Sequence, residues 1–194
     1  MIKDAILSED RKYRYILSRT WDETKPTVLF IGLNPSTADE KTDDSTIRKC
    51  IIYAKCWGYG KILMANLFAF RSTDPNKLNH EADPVGPEND SYILKSASEV
   101  DLIIACWGNP GRLFSRDKEV ISLIPNLHCL KRNKNGTPSH PLYLSKDIKP
   151  SSKDRPLTFR KISIFRKVLT LVVIIDISTF FLNLIHICRC RRRA

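Results

Sequence analysis

The stretch Thr27-Val-Leu-Phe-Ile-Gly-Leu-Asn-Pro-Ser36 decides the fold of this chain. An uninterrupted apolar run closed by Gly32 is typical of a strand that is buried on both faces of a sheet. Three later apolar runs predict further strands, at 62–65, 102–106 and 127–130. Helical spacing predicts three helices: one capped by Asp43 or Asp44 and ending at Gly58, one from about Pro87 to Glu99, and one from Arg112 to about Ile124. This alternation indicates a three-layer, doubly wound α/β fold with a mostly parallel sheet.

Upstream of this stretch, the sequence predicts a hairpin. Residues 3–8 and 13–19 have the composition of short strands, and the polar segment Ser8-Glu9-Asp10-Arg11 between them is typical of a turn. We therefore expect an α/β domain over 1–150 that begins with two antiparallel strands.

Charge is distributed unevenly along the chain. The net charge is +11, and residues 151–194 hold ten Lys and Arg against two Asp, which leaves +3 for residues 1–150. The basic character therefore belongs to the tail, and it does not indicate that the folded body binds nucleic acid. The N-terminus lacks the basic stretch and apolar run of a signal peptide, so we expect a cytoplasmic body.

Metal and disulfide chemistry are not indicated. The six cysteines form no Cys-x-x-Cys pair, and reduced, mostly buried thiols are the simpler interpretation. The acidic cluster Asp39, Glu40, Asp43 and Asp44 is explained by capping at a helix start. No phosphate-binding or dinucleotide-binding glycine motif is present, and we expect no cofactor.

Three loops that follow predicted strands carry the candidate functional residues, because ligands of such sheets bind at the carboxyl ends of the strands. In the first loop, Gly32 allows a close backbone approach and Pro35 fixes the path of the chain after Asn34. Asn34 would then present an amide able to hold a water or a substrate carbonyl. The alternative is an ordinary Asn-Pro turn.

In the second loop, Asn66 stands in an apolar context, where an unpaired amide costs about 1–3 kcal/mol. It therefore needs a partner, either the backbone or a ligand. Arg71 in the same loop is a candidate for binding an anion or for pairing with Asp74. In the third loop, His140 lies among turn-forming residues, and its imidazole could donate to a developing oxyanion. The alternative for His140 is an ordinary surface position.

Three strings carry a resemblance to a known family: GLNPSTADEKTDDSTIRKCIIYAKCWGYGKILMANLFAFRSTDP (32–75), ADPVGPEND (82–90) and GTPSHPLYL (136–144). They resemble DUF1643, a family of small, mostly bacterial proteins of unknown function, over nearly all of residues 1–150. The family has no assigned activity, so the resemblance implies no mechanism.

The order of the three loops is more loosely similar to the uracil-DNA glycosylase superfamily, which flips a base from DNA and cuts its glycosidic bond. That resemblance implies that Asn34 positions the attacking water, that Asn66 reads the base edge, and that His140 stabilises the departing base. Leu142 stands where the superfamily has a phosphate-binding Ser, and no wedge loop is evident. These departures leave open an enzyme acting on free nucleosides or single strands, or a non-catalytic module that binds a nucleotide or nucleic acid.

The C-terminal tail is a separate segment. Residues 151–167 form a basic linker, 168–188 are hydrophobic, and 189–194 are again basic. Val168–Cys188 is long enough to span a bilayer as a helix, although Asp176 lies near its centre. A membrane anchor or interfacial amphipathic helix, a soluble packed helix and a non-native extension all fit this composition.

Overall fold

The computed structural model of the protein describes residues 1–150. They form six strands and three helices, in the chain order β1 (Ile2–Leu7), β2 (Arg14–Thr20), β3 (Thr27–Gly32), α1 (Ser45–Cys56), β4 (Lys61–Asn66), α2 (Asn89–Ser98), β5 (Leu102–Ala105), α3 (Arg116–Leu123) and β6 (Leu127–Cys129). The predicted N-terminal hairpin, the four later strands and the three helices are therefore confirmed. The predicted linker, hydrophobic helix and basic end lie outside the described residues.

The six strands form one mixed sheet with the order β1-β2-β4-β3-β5-β6. β3 lies between β4 and β5 and is parallel to both, β6 is parallel to β5, and the N-terminal hairpin adds β2 antiparallel to β4. Because these four parallel strands point the same way, the loops that follow them meet at one edge of the sheet.

Alternate side chains of β3 are buried in different cores, one on each face of the sheet. Val28 and Phe30 pack with the buried face of α1, whereas Leu29 and Ile31 pack with side chains from α2 and α3. Because neither face of β3 meets water, the side chains on both faces are apolar.

The helix boundaries follow local chemistry, with one correction. Asp44 caps α1 by accepting a hydrogen bond from the Ile47 N–H at 2.8 Å, as one of the two predicted alternatives. The prediction that α3 begins at Arg112 is wrong. Asn109–Ser115 forms 3₁₀ turns that a kink at Leu113 and Phe114 interrupts. Phe114 and Ser115 have left-handed backbones with φ of 53° and 59°, so the α-helix begins only at Arg116.

Arg19 on β2 fastens the loop between β3 and α1 to the N-terminal hairpin. Its side chain is fully buried, and its Nε donates to the Asp43 carboxylate at 2.6 Å. Nη2 donates to the backbone carbonyls of Asp39 and Thr42, while Nη1 bonds to carbonyls of the hairpin itself. One guanidinium thereby bonds to two backbone carbonyls and one carboxylate of the loop.

Within residues 1–150, no helix has both the length and the apolar character that crossing a bilayer requires. The candidate span Val168–Cys188 lies in the part of the chain that is not described.

We expect Arg19→Lys to lower the free energy of unfolding by about 3 kcal/mol, because a single ammonium cannot replace five directed donors in a buried site. Chemical denaturation would measure this change. Arg11→Lys is the matched control, because Arg11 contacts the same loop through Glu40 but is exposed, and its cost should stay below about 1 kcal/mol. Equal costs at the two positions would contradict the assigned role of Arg19.

Candidate functional site

A cavity of about 610 Å³ lies at the edge of the sheet where the parallel strands end. Four of the residues predicted from sequence line it: Gly32, Asn34, Asn66 and His140. Gly32 and Asn66 end β3 and β4, whereas Asn34 and His140 lie in the loops after β3 and β6, so three segments that are distant in sequence meet around one space. The predicted clustering of these loops is thus present in the structure.

Gly32 and Asn66 are paired in register at the ends of the parallel strands β3 and β4. A Cβ atom at position 32 would lie 2.8 Å from the Asn66 Oδ1, closer than real contacts allow. A side chain at position 32 would therefore force the Asn66 amide to shift. The two following loops continue side by side, with the Leu67 N–H donating to the Gly32 carbonyl at 2.9 Å and the Phe68 N–H to the Leu33 carbonyl at 3.0 Å.

The Asn34 side chain is held by its amide nitrogen. Nδ2 donates to the Ser72 carbonyl at 2.8 Å and to the Pro35 carbonyl at 3.1 Å, which fixes the orientation of the amide because both partners are acceptors. No donor within residues 1–150 bonds to its Oδ1. This oxygen is therefore the atom of Asn34 that is available to accept a hydrogen bond from a water or a ligand.

Two buried side chains brace the main chain at Asn66. Asn89 Nδ2 donates to the carbonyls of Asn66 and Leu67, at 3.0 and 3.1 Å, and Arg116 Nε also donates to the Leu67 carbonyl. The Asn66 side chain is only 3% exposed, yet its Nδ2 has no partner within the described chain. The same is true of Nε1 of Trp107, which lines the cavity as well. Two residues of the cavity wall thus each have a buried N–H donor without an acceptor in the described chain.

A network of amides and hydroxyls positions the loop that carries His140. Asn109 Oδ1, in the loop after β5, accepts hydrogen bonds from Asn133 Nδ2, Asn135 Nδ2 and Thr137 Oγ1, at 2.8 to 3.0 Å. On the far side of His140, the Tyr53 hydroxyl of α1 donates to the Pro141 carbonyl at 3.1 Å. The loop is therefore held by the body of the fold on both sides of His140.

The state of the His140 imidazole follows from its surroundings. Burial lowers its pKa below the usual 6.5, against a smaller opposing effect from the Asp44 carboxylate. Its Nδ1 accepts a long hydrogen bond of 3.4 Å from the Leu142 N–H, which places the proton of the neutral ring on Nε2. A neutral imidazole with a protonated Nε2 can donate a hydrogen bond to a group that becomes negatively charged.

Two predicted binding residues do not line the cavity. Pro35 is buried beneath it, and its carbonyl accepts from the Asn34 amide and from the Ser72 N–H. Arg71 Nη1 donates to the Arg11 carbonyl at 3.2 Å, and no ion pair with Asp74 forms within residues 1–150. Both residues support the loops around the cavity in this structure.

Sequence reasoning missed several residues of the cavity wall. The segment Trp107-Gly108-Asn109-Pro110 follows β5 and lines the cavity, and its glycine, with φ of 73° and ψ of −166°, adopts a backbone that is essentially restricted to glycine. Arg14, Asp44 and Tyr143 also line it. A Gly-Asn-Pro sequence directly after a predicted strand was the available signal for the first of these, whereas the burial of Arg14 depends on the tertiary fold.

The described part of the chain holds no cluster of three or more His, Cys, Asp or Glu side chains arranged to bind a metal ion. Asp44 is the one acidic residue among those that line the cavity.

Comparison with known proteins gives a family and no further relative. A family described as "Protein of unknown function (DUF1643)" matches residues 14–142. No curated protein and no solved structure matches the chain. The looser resemblance to uracil-DNA glycosylases therefore has no support from the comparisons.

We expect Gly32→Ala to destabilise the protein by about 1–3 kcal/mol, because the added methyl group overlaps the Asn66 side chain. Combining it with Asn66→Ala should remove most of this cost, so denaturation of both single variants and the double variant would give a strongly non-additive cycle. Gly136→Ala is the control, since no atom lies within 4 Å of its added Cβ, and its cost should not depend on Asn66. Additive costs for Gly32→Ala and Asn66→Ala would contradict the proposed contact.

His140 should make folding stability depend on pH. Because its folded pKa lies below 6.5, the unfolded chain takes up the proton first, and wild-type protein should lose stability relative to His140→Gln as pH falls below 6.5. Above that value the difference between the two proteins should become constant. Denaturation between pH 5 and 8 would measure it, with His80→Gln removing an exposed imidazole as control. A flat difference across this range would mean that the ring is not buried in its neutral form.

Proposed function

The chain belongs to the DUF1643 family, whose function is unknown, and we propose that it hydrolyses the N-glycosidic bond of a nucleobase substrate. In this proposal Asn34 positions the attacking water, Asn66 binds the edge of the base, and His140 stabilises the leaving group. The substrate is a nucleoside, a nucleotide or a modified base in nucleic acid, and no cofactor takes part.

One observation carries the proposal: Asn34, Asn66 and His140 line a single cavity, and two of its lining residues, Asn66 and Trp107, each have a buried donor without a partner in the described chain. Asn66 Nδ2 and Trp107 Nε1 suit a ligand with hydrogen-bond acceptors on a flat ring edge. The aromatic side chains of Trp107 and Tyr143 also line the cavity, and aromatic rings bind nucleobases by stacking.

The reaction needs three events at the glycosidic carbon. The water oxygen forms a bond to C1′, the bond from C1′ to the base nitrogen breaks, and the proton of the water ends on the departing base. Asn34 Oδ1 is free to accept a hydrogen bond from that water. The neutral His140 can donate from Nε2 to the base as it gains negative charge, which is the type of stabilisation that preformed donors provide.

Asp44 adds a carboxylate to the same cavity. Its Oδ1 is occupied by the Ile47 N–H, while its charge acts on the pKa of His140. The sugar gains positive charge as the base leaves, and a nearby carboxylate stabilises such charge or accepts the proton of the water. Asp44 is therefore proposed as the acidic residue of the reaction, a role that sequence reasoning assigned only to helix capping.

The charge of the folded body favours small or single-stranded substrates. Residues 1–150 carry a net +3, whereas affinity for duplex DNA comes largely from many phosphate contacts. A nucleotide or an exposed base needs fewer phosphate contacts than duplex DNA does.

The test incubates the full chain with oligonucleotides that contain uracil, a G·T mismatch or hypoxanthine, in single and double strands, and with the corresponding free nucleosides and nucleotides. Abasic sites are detected by alkaline cleavage and free bases by chromatography. We expect base release by wild type and a loss of about a hundredfold or more in Asn34→Ala and in Asp44→Asn.

Matched controls separate chemistry from folding. Asn79→Ala removes an amide-to-carbonyl hydrogen bond away from the cavity. Asp74→Asn removes the carboxylate of another helical cap, whereas Asn at position 44 can still cap α1. Base release that is absent from folded wild-type protein on every substrate would reject the enzyme and favour a module that only binds nucleotides.

A further inference from the structure

Arg14 on β2 is a buried cation on the wall of the cavity. The residue is 2% exposed, and it lines the cavity together with Asn34 and Asn66. Its Nη1 donates to the Ala38 carbonyl at 2.8 Å. Its Nε is buried without a partner, and no acceptor within residues 1–150 bonds to Nη2. The Nε–Nη2 edge of the guanidinium is therefore unused, and this edge matches the two oxygens of a carboxylate or phosphate.

The two other buried arginines of the described chain show what Arg14 lacks. Arg19 forms an ion pair with Asp43, and Arg116 forms ion pairs with Asp90 and Glu119. Arg14 has no carboxylate within 4.0 Å in residues 1–150. Burial lowers the pKa of Arg14 to about 10, yet the group stays charged at neutral pH. A buried charge without a counter-ion is unfavourable, so an anion supplied from outside would be bound strongly.

The surroundings of Arg14 suit an anion. Ser36 and Thr73 also line the cavity, and their hydroxyl groups make no hydrogen bond within the described residues. The charge of Arg71 acts on Arg14, which adds a second cation to the local field. Asp44 has the largest charge effect on Arg14 and opposes both cations, and Asp39 adds to it, but neither carboxylate forms an ion pair with Arg14 within residues 1–150.

We propose that Arg14 binds a phosphate group of the ligand through its Nε–Nη2 edge, with the Ser36 hydroxyl as a further donor. This inference rests on the proposed function and narrows its substrate class: the substrate is phosphorylated, and a free nucleoside or base is a poor one. The phosphate belongs either to a free nucleotide or to the backbone of a nucleic acid, since both present the same oxygens.

The first measurement uses wild-type full chain and calorimetric titration. Its probes are inorganic phosphate, deoxyuridine and deoxyinosine, their 5′-monophosphates, and a dinucleotide that has only a phosphodiester. We expect each monophosphate to bind at least about tenfold more tightly than its nucleoside. Tighter binding of the monophosphates would identify a free nucleotide as the source, and tighter binding of the dinucleotide a nucleic acid. Equal affinity for nucleosides and their phosphates would overturn the proposal.

The second measurement compares variants with inorganic phosphate as the probe, because that probe does not depend on which base is recognised. Arg14→Gln should weaken phosphate binding by at least about tenfold, and Arg14→Lys, which keeps the charge but not the planar edge, should weaken it less. Arg48→Gln removes an exposed arginine that does not line the cavity, and it should bind as wild type does. Equal losses in Arg14→Gln and Arg48→Gln would show non-specific binding and reject the site.

Folding and function are separated by two further comparisons. Melting temperatures show whether Arg14→Gln is folded. If it is not, two measurements still decide whether Arg14 binds phosphate: the comparison of Arg14→Lys with wild type, and the wild-type titrations. Phosphate binding that persists in wild type and Asn34→Ala without any base release would reject the enzyme while retaining the anion site. Base release from nucleosides as fast as from nucleotides would retain the enzyme and reject the anion site.

Discussion

The close contact between Gly32 and Asn66 is the constraint on which the rest of the site depends. Parallel pairing brings the ends of β3 and β4 side by side, and the absence of a Cβ at position 32 leaves room for the amide of its neighbour. The two loops then run together, which carries Asn34 to the carbonyl of Ser72. The missing methyl group thus leaves room for Asn66 beside the loop that carries Asn34.

Buried polar side chains hold the loops around the cavity. Arg19 fixes the loop before α1, Arg116 and Asn89 support the main chain after β4, and Asn109 supports the loop before His140. Asn66, Trp107 and Arg14 line the cavity, and each has a buried donor without a partner within the described residues. Buried polar atoms without a partner also occur outside the wall, at Arg71 Nε and Asn89 Oδ1. The three at the wall suit a site whose polar groups are completed by a ligand.

The fold could be predicted from sequence because its signals are local. An apolar run closed by Gly32 identifies β3, and Asp44 marks the start of α1. The start of α3 could not be found in this way, since Phe114 and Ser115 adopt left-handed backbones that their side chains do not favour.

The same distinction applies to the cavity. Asn34, Asn66 and His140 were predicted to share one edge because topology determines where strand ends meet. Arg14 could not be assigned, because an arginine early in a strand is ordinarily exposed, and only the fold shows that it is 2% exposed and unpaired. Arg71 illustrates the reverse, since a suggestive arginine after β4 bonds to the Arg11 carbonyl and does not line the cavity.

The unpaired donors of Asn66, Trp107 and Arg14 also bear on how much of the protein a cell retains. Each buried donor without an acceptor costs about 1–3 kcal/mol, a large share of the 5–15 kcal/mol that stabilises a typical domain. A ligand that accepts from these groups binds only the folded chain and raises its stability by mass action. Proteases remove unfolded chains, so the abundance of the protein would increase with the supply of its ligand.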